Sequence, residues 1–337
     1  MPALVVLTIL VLAASVVLTR AVKSRAETVI AVTLVFNTIV VAPIYLLGFA
    51  NLLTRGALTV LAGSFSLVVL AVHFARGGKP AAIALGLRIL DLARLPLEGI
   101  ARTWRKRSLL TAVALLATLA FPYFLLVAYL APAWRDWDAL WYHEPIVAYT
   151  IQDHGFAPVP LPTGLQNING VHRLAEMTQL WFAIFAGRRV VDIANVFFMP
   201  CLAASMFALA RRFTRDHVTA IAWASALVLF PGFIRIVQSC MVDPQNAALT
   251  LAAAYFVTHA KLDTRNVVYA ILALTLAAGS KIWSLVAVVF LAVVLLARLI
   301  ANRRDFGWKR VLALTGLGTV CIAGIEATVF VRNLILW

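Results

Sequence analysis

The sequence predicts an all-α, polytopic bundle of about ten membrane-spanning helices, with one long extracytoplasmic loop that carries short interfacial helices. Three observations predict it. The 337 residues are 63% hydrophobic and 13% charged, with a mean hydropathy of +0.94, whereas a soluble domain is about half apolar and about a quarter charged. Apolar runs recur near the roughly 20 residues that a helix needs to cross a hydrocarbon layer. The basic residues fall in short clusters between those runs, as the positive-inside rule expects.

In chain order, spans are expected near 2–19, 28–50, 56–75, 108–131, 190–210, 217–234, 244–260, 266–280, 282–301 and 311–331. The run at 266–280 is short. The first run lacks a basic leader and an Ala-x-Ala site, so it reads as a retained span rather than a signal peptide. Five clusters (Arg20 to Arg25, Arg76 to Arg107, Arg211 to Arg215, Lys261 with Arg265, and Arg298 to Arg310) hold 21 of the 29 Lys and Arg residues. They share one face if Leu174 to Gly187 does not cross, which makes that segment a re-entrant or interfacial helix. The bias puts these clusters in the cytoplasm and the loop 132–173 outside.

Residues 81–103 read as an amphipathic helix in the headgroup plane. Arg88, Asp91, Arg94, Glu98 and Arg102 recur on it at helical spacing, and Pro96 kinks or restarts it. The organisation is then 1–107, three spans plus this helix, followed by 108–337, a core with its long loop. Pro132, Pro145, Pro158, Pro160 and Pro162, with Gly155, Gly164 and Gly170, forbid one long helix in the loop. Residues 138–153 still suit a short amphipathic helix along the surface.

The net charge of +15 does not point to nucleic acid, because no basic stripe is interleaved with exposed aromatics in a soluble segment. Cys201, Cys240 and Cys321 have no paired spacing, so neither a disulfide framework nor a metal knuckle is implied.

Chemistry concentrates in Trp134-Arg-Asp-Trp-Asp-Ala-Leu-Trp-Tyr-His-Glu144, directly after a span. Asp136, Asp138, His143 and Glu144 stand there among Trp134, Trp137, Trp141 and Tyr142. Tryptophan and tyrosine favour the membrane–water boundary, so they place these carboxylates at the membrane edge. An anchoring aromatic belt has the same appearance and catalyses nothing. In the loop, Asn167 and Asn169 add neutral hydrogen-bonding groups. His172, Arg173 and Glu176 then lead into 174–187. Further along, Arg235-Ile-Val-Gln-Ser-Cys-Met-Val-Asp243-Pro244 turns between two spans, with Asp243 either the N-cap of the next helix or a functional carboxylate. Lys281 follows Gly279-Ser280 and is either a snorkelling anchor or a point charge for a phosphate. Glu326 lies mid-span and needs a partner, Arg332 or a cavity.

Trp137-Asp138-Ala-Leu-Trp-Tyr142-His143, Gln238-Ser239-Cys-Met-Val-Asp243 and Gly279-Ser280-Lys281 together resemble the outward motifs of the GT-C superfamily. These are polytopic glycosyltransferases that use polyprenyl-phosphate sugars, among them the protein O-mannosyltransferase and aminoarabinose-transferase-like families. The resemblance covers roughly residues 108–333. It implies a GT-C-like helical bundle in a bacterial inner (plasma) membrane, with the active face extracytoplasmic. It also implies a polyprenyl-phosphate-linked sugar donor and an acceptor hydroxyl. By that analogy Asp138 is the general base, with Asp136 as fallback. Lys281 and Arg235 neutralise the departing lipid phosphate. Tyr142, His143, Glu144 and Asp243 position base or sugar, or hold a divalent cation, although no compact ligand spacing compels one.

GT-C enzymes commonly continue into further spans and an extracytoplasmic domain, whereas this sequence stops at Trp337. The expectation is a short member, a truncated product or a subunit completed by a partner. Two other readings stand beside the enzyme: a transporter or flippase for an anionic lipid or solute, and a non-catalytic membrane subunit. Transporters place ionisable residues near the bilayer midplane, often within inverted repeats. Here the carboxylates cluster at one edge and no repeat is visible, which favours the enzyme.

Overall fold

The structure is a computed structural model that describes residues 1–106, 109–131, 136–161, 164 and 166–336, leaving aside the side chains of 166, 335 and 336. Arg107, Pro132, Trp134, Arg135, Pro162 and Trp337, used in the charge count and the loop reading, lie outside the described residues. All regular structure among the described residues is helical.

Among the described residues, six helices are long and apolar enough to cross a membrane: α2 (Arg25–Phe49), α3 (Arg55–Ala93), α5 (Leu110–Leu130), α8 (Ile193–Phe213) with the turn before it, α13 (Ser284–Ala301) and α15 (Trp308–Leu336). A pair bent by 54°, α9 (His217–Val228) and α10 (Pro231–Val237), makes a seventh if counted as one span. Pro231 starts α10 and accounts for the bend, since proline cannot donate to a continuous helix. The other three expected spans are shorter helices: α1 (Pro2–Leu18), α11 (Asp243–Val257) and α12 (Thr264–Ser280), of 17, 15 and 17 residues. α11 and α12 pack on each other and are sheathed by α8, α13 and α15. A helix surrounded by protein need not match the bilayer thickness. α3, α5 and α13 expose apolar side chains such as Val68, Leu116 and Phe290, as lipid-facing helices do.

α3 departs from one straight span at Gly78, whose φ of 57° and ψ of −152° suit a residue without a Cβ. Its second half and α4 (Leu95–Arg105) form the expected amphipathic element. Pro96 sits in the first turn of α4, where its missing N–H costs nothing, so it restarts the helix. Glu98 pairs with Arg102 at 3.6 Å and with Arg25 at 2.7 Å. A short α14 (Arg303–Phe306) links α13 to α15.

α7 (Leu174–Ala186) lies inside the bundle against α2, α6 (Glu144–Gln152), α8 and α12. At its start, Arg173 neighbours Arg332 near the end of α15. At its end, Phe185 lies under the Arg55 guanidinium, at the start of α3, at 5.7 Å. Its middle is tied to two helices by a buried polar chain. Thr178 donates to Asn37 of α2 at 2.7 Å and accepts from Gln245 of α11 at 2.8 Å. Such interhelical bonds are a common glue where water is excluded.

Candidate functional site

The loop enters the site through a continuous helical stretch. Trp137 and Asp138 open it, Ala139–His143 is π-helical, and α6 follows. A π-turn bonds i to i+5 and re-aims side chains relative to a regular helix; such turns are frequent at functional sites. Trp137 and Trp141 stack at 3.8 Å, with Trp137 exposed, so the pair forms the outer edge of the element. Tyr142 and His143 lie on its inner side, with His143 buried.

Four elements converge there. The Tyr142 hydroxyl is hydrogen-bonded to the Asp138 carboxylate and lies within electrostatic reach of Glu176 and Asp243. Burial first, then the charge and hydrogen bond of Asp138, push the phenol above its ordinary value, so it stays protonated and donates. His143 Nδ1 is 2.7 Å from Glu176 Oε1 of α7, with both side chains almost fully buried. At the start of α11, Asp243 Oδ1 accepts from Lys281 Nζ at 2.6 Å. Lys281 stands just past α12 in an extended conformation.

Local packing explains why these groups meet. At Gly279 a Cβ would lie 2.6 Å from Ile325 Cγ1 and 2.9 Å from Leu174 Cδ1, so only glycine lets α12 approach α7 and α15 here. The 238–243 turn is braced from outside: Asn195 Nδ2 donates to the carbonyls of Ser239, at 2.6 Å, and Met241, and Gln179 donates to that of Cys240 at 2.7 Å. The loop is pinned by Asn169, which exchanges two 2.9 Å bonds with the Val159 backbone.

A second buried group adjoins the first. Arg173 is 1% exposed and Arg332 6%. Arg173 Nη2 donates to Asn169 Oδ1 at 2.8 Å, Arg332 Nη2 to the Val171 carbonyl at 2.6 Å, and His172 Nε2 lies 2.8 Å from Glu326 Oε2. Arg173 Nε and Nη1, Arg332 Nε and Glu176 Oε2 are buried with no hydrogen-bond partner among the described residues. Burial, then the charge of Arg332, push the Arg173 guanidinium down to about 10. It remains cationic at neutral pH, and two like charges share a buried site.

Of the residues singled out by sequence, the structure gathers Asp138, Tyr142, His143, Asp243 and Lys281. It does not gather three others. Among the described residues nothing reaches the Asp136 carboxylate, although its carbonyl accepts from Leu140 at 3.1 Å. Glu144 faces away and takes Arg188 in a bidentate pair at 2.6 and 3.0 Å, beside a cavity of about 530 Å³ between α6 and residues 183–191. Arg235 is exposed on α10, and no ion pair joins it to the cluster among the described residues. Two further readings are corrected. Asp243 is not the N-cap: Val242 holds that position without a side-chain cap bond, and Lys281 takes the carboxylate. The partner of Glu326 is His172, not Arg332.

Sequence reasoning gave Glu176, Arg173 and His172 no role in the site. The available signal was Arg173 and Glu176 standing three apart at the mouth of an apolar segment, since ionisable groups inside apolar surroundings are costly. Asp138 and Asp243 have the oxygen chemistry for a hard cation, but no group of three metal-ligating side chains exists among the described residues. No protein-family model, curated protein or solved structure matches the chain.

Proposed function

We propose that the chain is a membrane glycosyltransferase of GT-C-like architecture. It moves a sugar from a polyprenyl-phosphate donor to an acceptor hydroxyl on the extracytoplasmic face of the inner membrane. In this reading the short buried helices α1, α11 and α12 complete a ten-crossing topology. The observation that carries the proposal is the convergence of Asp138–Tyr142, His143–Glu176 and Asp243–Lys281 behind an interfacial tryptophan pair.

Asp138 is the general base. Its bond from Tyr142 fixes one carboxylate oxygen and leaves the other for the acceptor proton, and a base must lie within hydrogen-bond reach of that proton. As the acceptor oxygen bonds to the sugar's anomeric carbon, the carbon–oxygen bond to phosphate breaks. The proton passes to Asp138 and the electron pair leaves with polyprenyl phosphate. Lys281 exchanges Asp243 for the departing phosphate and offsets its charge. Glu176 holds His143, and the charges of Arg173 and Arg332 offset the carboxylates around the base.

Asp138→Asn tests this. With labelled polyprenyl-phosphate sugars and envelope extract as acceptor, transfer by the purified variant should fall about 100-fold or more, the usual contribution of a positioned base. Full transfer by a well-folded variant removes Asp138 from that role.

One observation favours a second reading, transport of an anionic lipid or solute: the unpartnered, buried nitrogens of Arg173 and Arg332. Vesicle flux that survives Asp138→Asn but is lost in Arg173→Gln distinguishes it.

A further inference from the structure

On the face that carries the basic clusters, a cavity of about 680 Å³ opens between the α1–α2 turn and the second half of α3. We propose that it binds the phosphodiester headgroup of an anionic phospholipid, with an acyl chain lying along Leu87 and Leu90.

The charge of the lining is lopsided. Arg20, Lys23, Arg25, Arg88 and Arg94 face a single carboxylate, Asp91. Two of these cations are committed to the fold. Arg25 pairs with Asp91 at 2.6 Å and with Glu98 at 2.7 Å. Arg88 gives its terminal nitrogens to the carbonyls of Arg20 and Val22, both at 2.8 Å, and to the Thr28 hydroxyl at 3.0 Å. Its Nε is buried without a partner among the described residues. Arg20, Lys23 and Arg94 reach no carboxylate among the described residues. The Arg20 guanidinium lies 3.4 Å from the His73 ring nitrogen. Three cations and one orphaned donor thus line a space whose one carboxylate, Asp91, is already paired with Arg25.

The occupant is a lipid rather than a soluble phosphate because the same cavity has an oily side. Leu87 and Leu90 line it and are 62% and 46% exposed. They belong to the segment that turns off the spanning direction at Gly78, and such a helix lies at the headgroup level. Basic pockets between helices at the cytoplasmic side suit anionic headgroups. This site is on the opposite face from the proposed catalytic cluster and does not depend on that reading.

The test uses the purified full chain in detergent, with thermal unfolding followed as phosphatidylglycerol or phosphatidylcholine is added in mixed micelles. Phosphatidylglycerol should stabilise the protein selectively. In Arg20→Gln/Lys23→Gln/Arg94→Gln the concentration needed should rise on the order of 100-fold, the product expected for three near-surface cations. Arg304→Gln/Lys309→Gln/Arg310→Gln, which removes exposed charge elsewhere on the same face, should leave it nearly unchanged. Should the triple variant fail to fold, the exposed Lys23→Glu alone gives the same reading in the same direction. Equal loss in the two triple variants, no preference for phosphatidylglycerol, or equal stabilisation by soluble glycerol phosphate overturns the proposal.

Discussion

Gly279→Ala is expected to disturb the candidate site by crowding alone. The added methyl would sit 2.6 Å from Ile325 Cγ1, 2.9 Å from Leu174 Cδ1 and 3.2 Å from Leu174 Cβ, against an ordinary carbon–carbon contact of about 3.5–4.0 Å. Neither side can yield easily. Leu174 is 1% exposed, and 12 of the 17 residues of α12 are buried. Overpacking of this kind costs about 1–3 kcal/mol. Alanine's better helix propensity returns about 0.8–1 kcal/mol, leaving a net loss of roughly 0–2 kcal/mol. Gly316→Ala in α15 is the matched control, because a Cβ there meets nothing within 4 Å. It carries the propensity gain without the crowding. The propensity effect cancels between the two variants, so their difference isolates the clash at about 1–3 kcal/mol. The assay is denaturant-induced unfolding in detergent micelles, read by tryptophan fluorescence. Equal stability of the two variants, or a more stable Gly279→Ala, would refute the close approach of α12 to α7 and α15.

Three further outcomes follow from the same structure. His143→Ala and Glu176→Ala should each destabilise strongly, because each leaves a buried partner unpaired, whereas the double variant should cost less than their sum; the coupling should be about 1–3 kcal/mol, and additive losses would show that the 2.7 Å contact contributes nothing. Asn195→Ala strips the Ser239 and Met241 carbonyls of their donor and should cost about 1–3 kcal/mol, and unchanged stability would mean the turn holds Asp243 without that brace. The Glu27 hydrogen bond raises the His259 imidazole, in the turn after α11, above its ordinary value. That stabilisation is complete below the unfolded value of about 6.5 and is lost as pH rises through the raised folded value. The gap in unfolding temperature between the native chain and His259→Gln should therefore be wider at about pH 6 than at about pH 9, and a gap independent of pH would contradict the pairing.

The membrane character was legible because lipid-facing helices must be apolar along their whole length, as α5 and α13 are. The same signal could not tell lipid cover from protein cover at 244–260 and 266–280, where the helices are 15 and 17 residues long. An apolar run reads alike whether lipid or protein covers it, and α11 and α12 are covered by protein. The shortness of α7 was legible, since its 13 residues fall below the roughly 20 that a crossing helix needs. Within the site, sequence proximity misled. Glu144 follows His143 directly, yet the π-helical turn sends His143 inward to Glu176 and Glu144 outward to Arg188. Asp243 before Pro244 has the form of a helix cap, and only the tertiary approach of Lys281, made possible by Gly279, gives it another partner. His172–Glu326 joins residues 154 apart in sequence, a separation that no local pattern reports.

The central claim is that the Asp138–Lys281 face takes a lipid-linked phosphate. The most direct measurement is thermal unfolding of the purified chain with and without a short-chain polyprenyl phosphate, repeated in Lys281→Ala. A ligand that binds only the folded state stabilises it, by about 2.7 kcal/mol at 100 times its dissociation constant. The account predicts clear stabilisation of the native chain and little in Lys281→Ala. Equal stabilisation of both proteins, or none in a well-folded native sample, would contradict it.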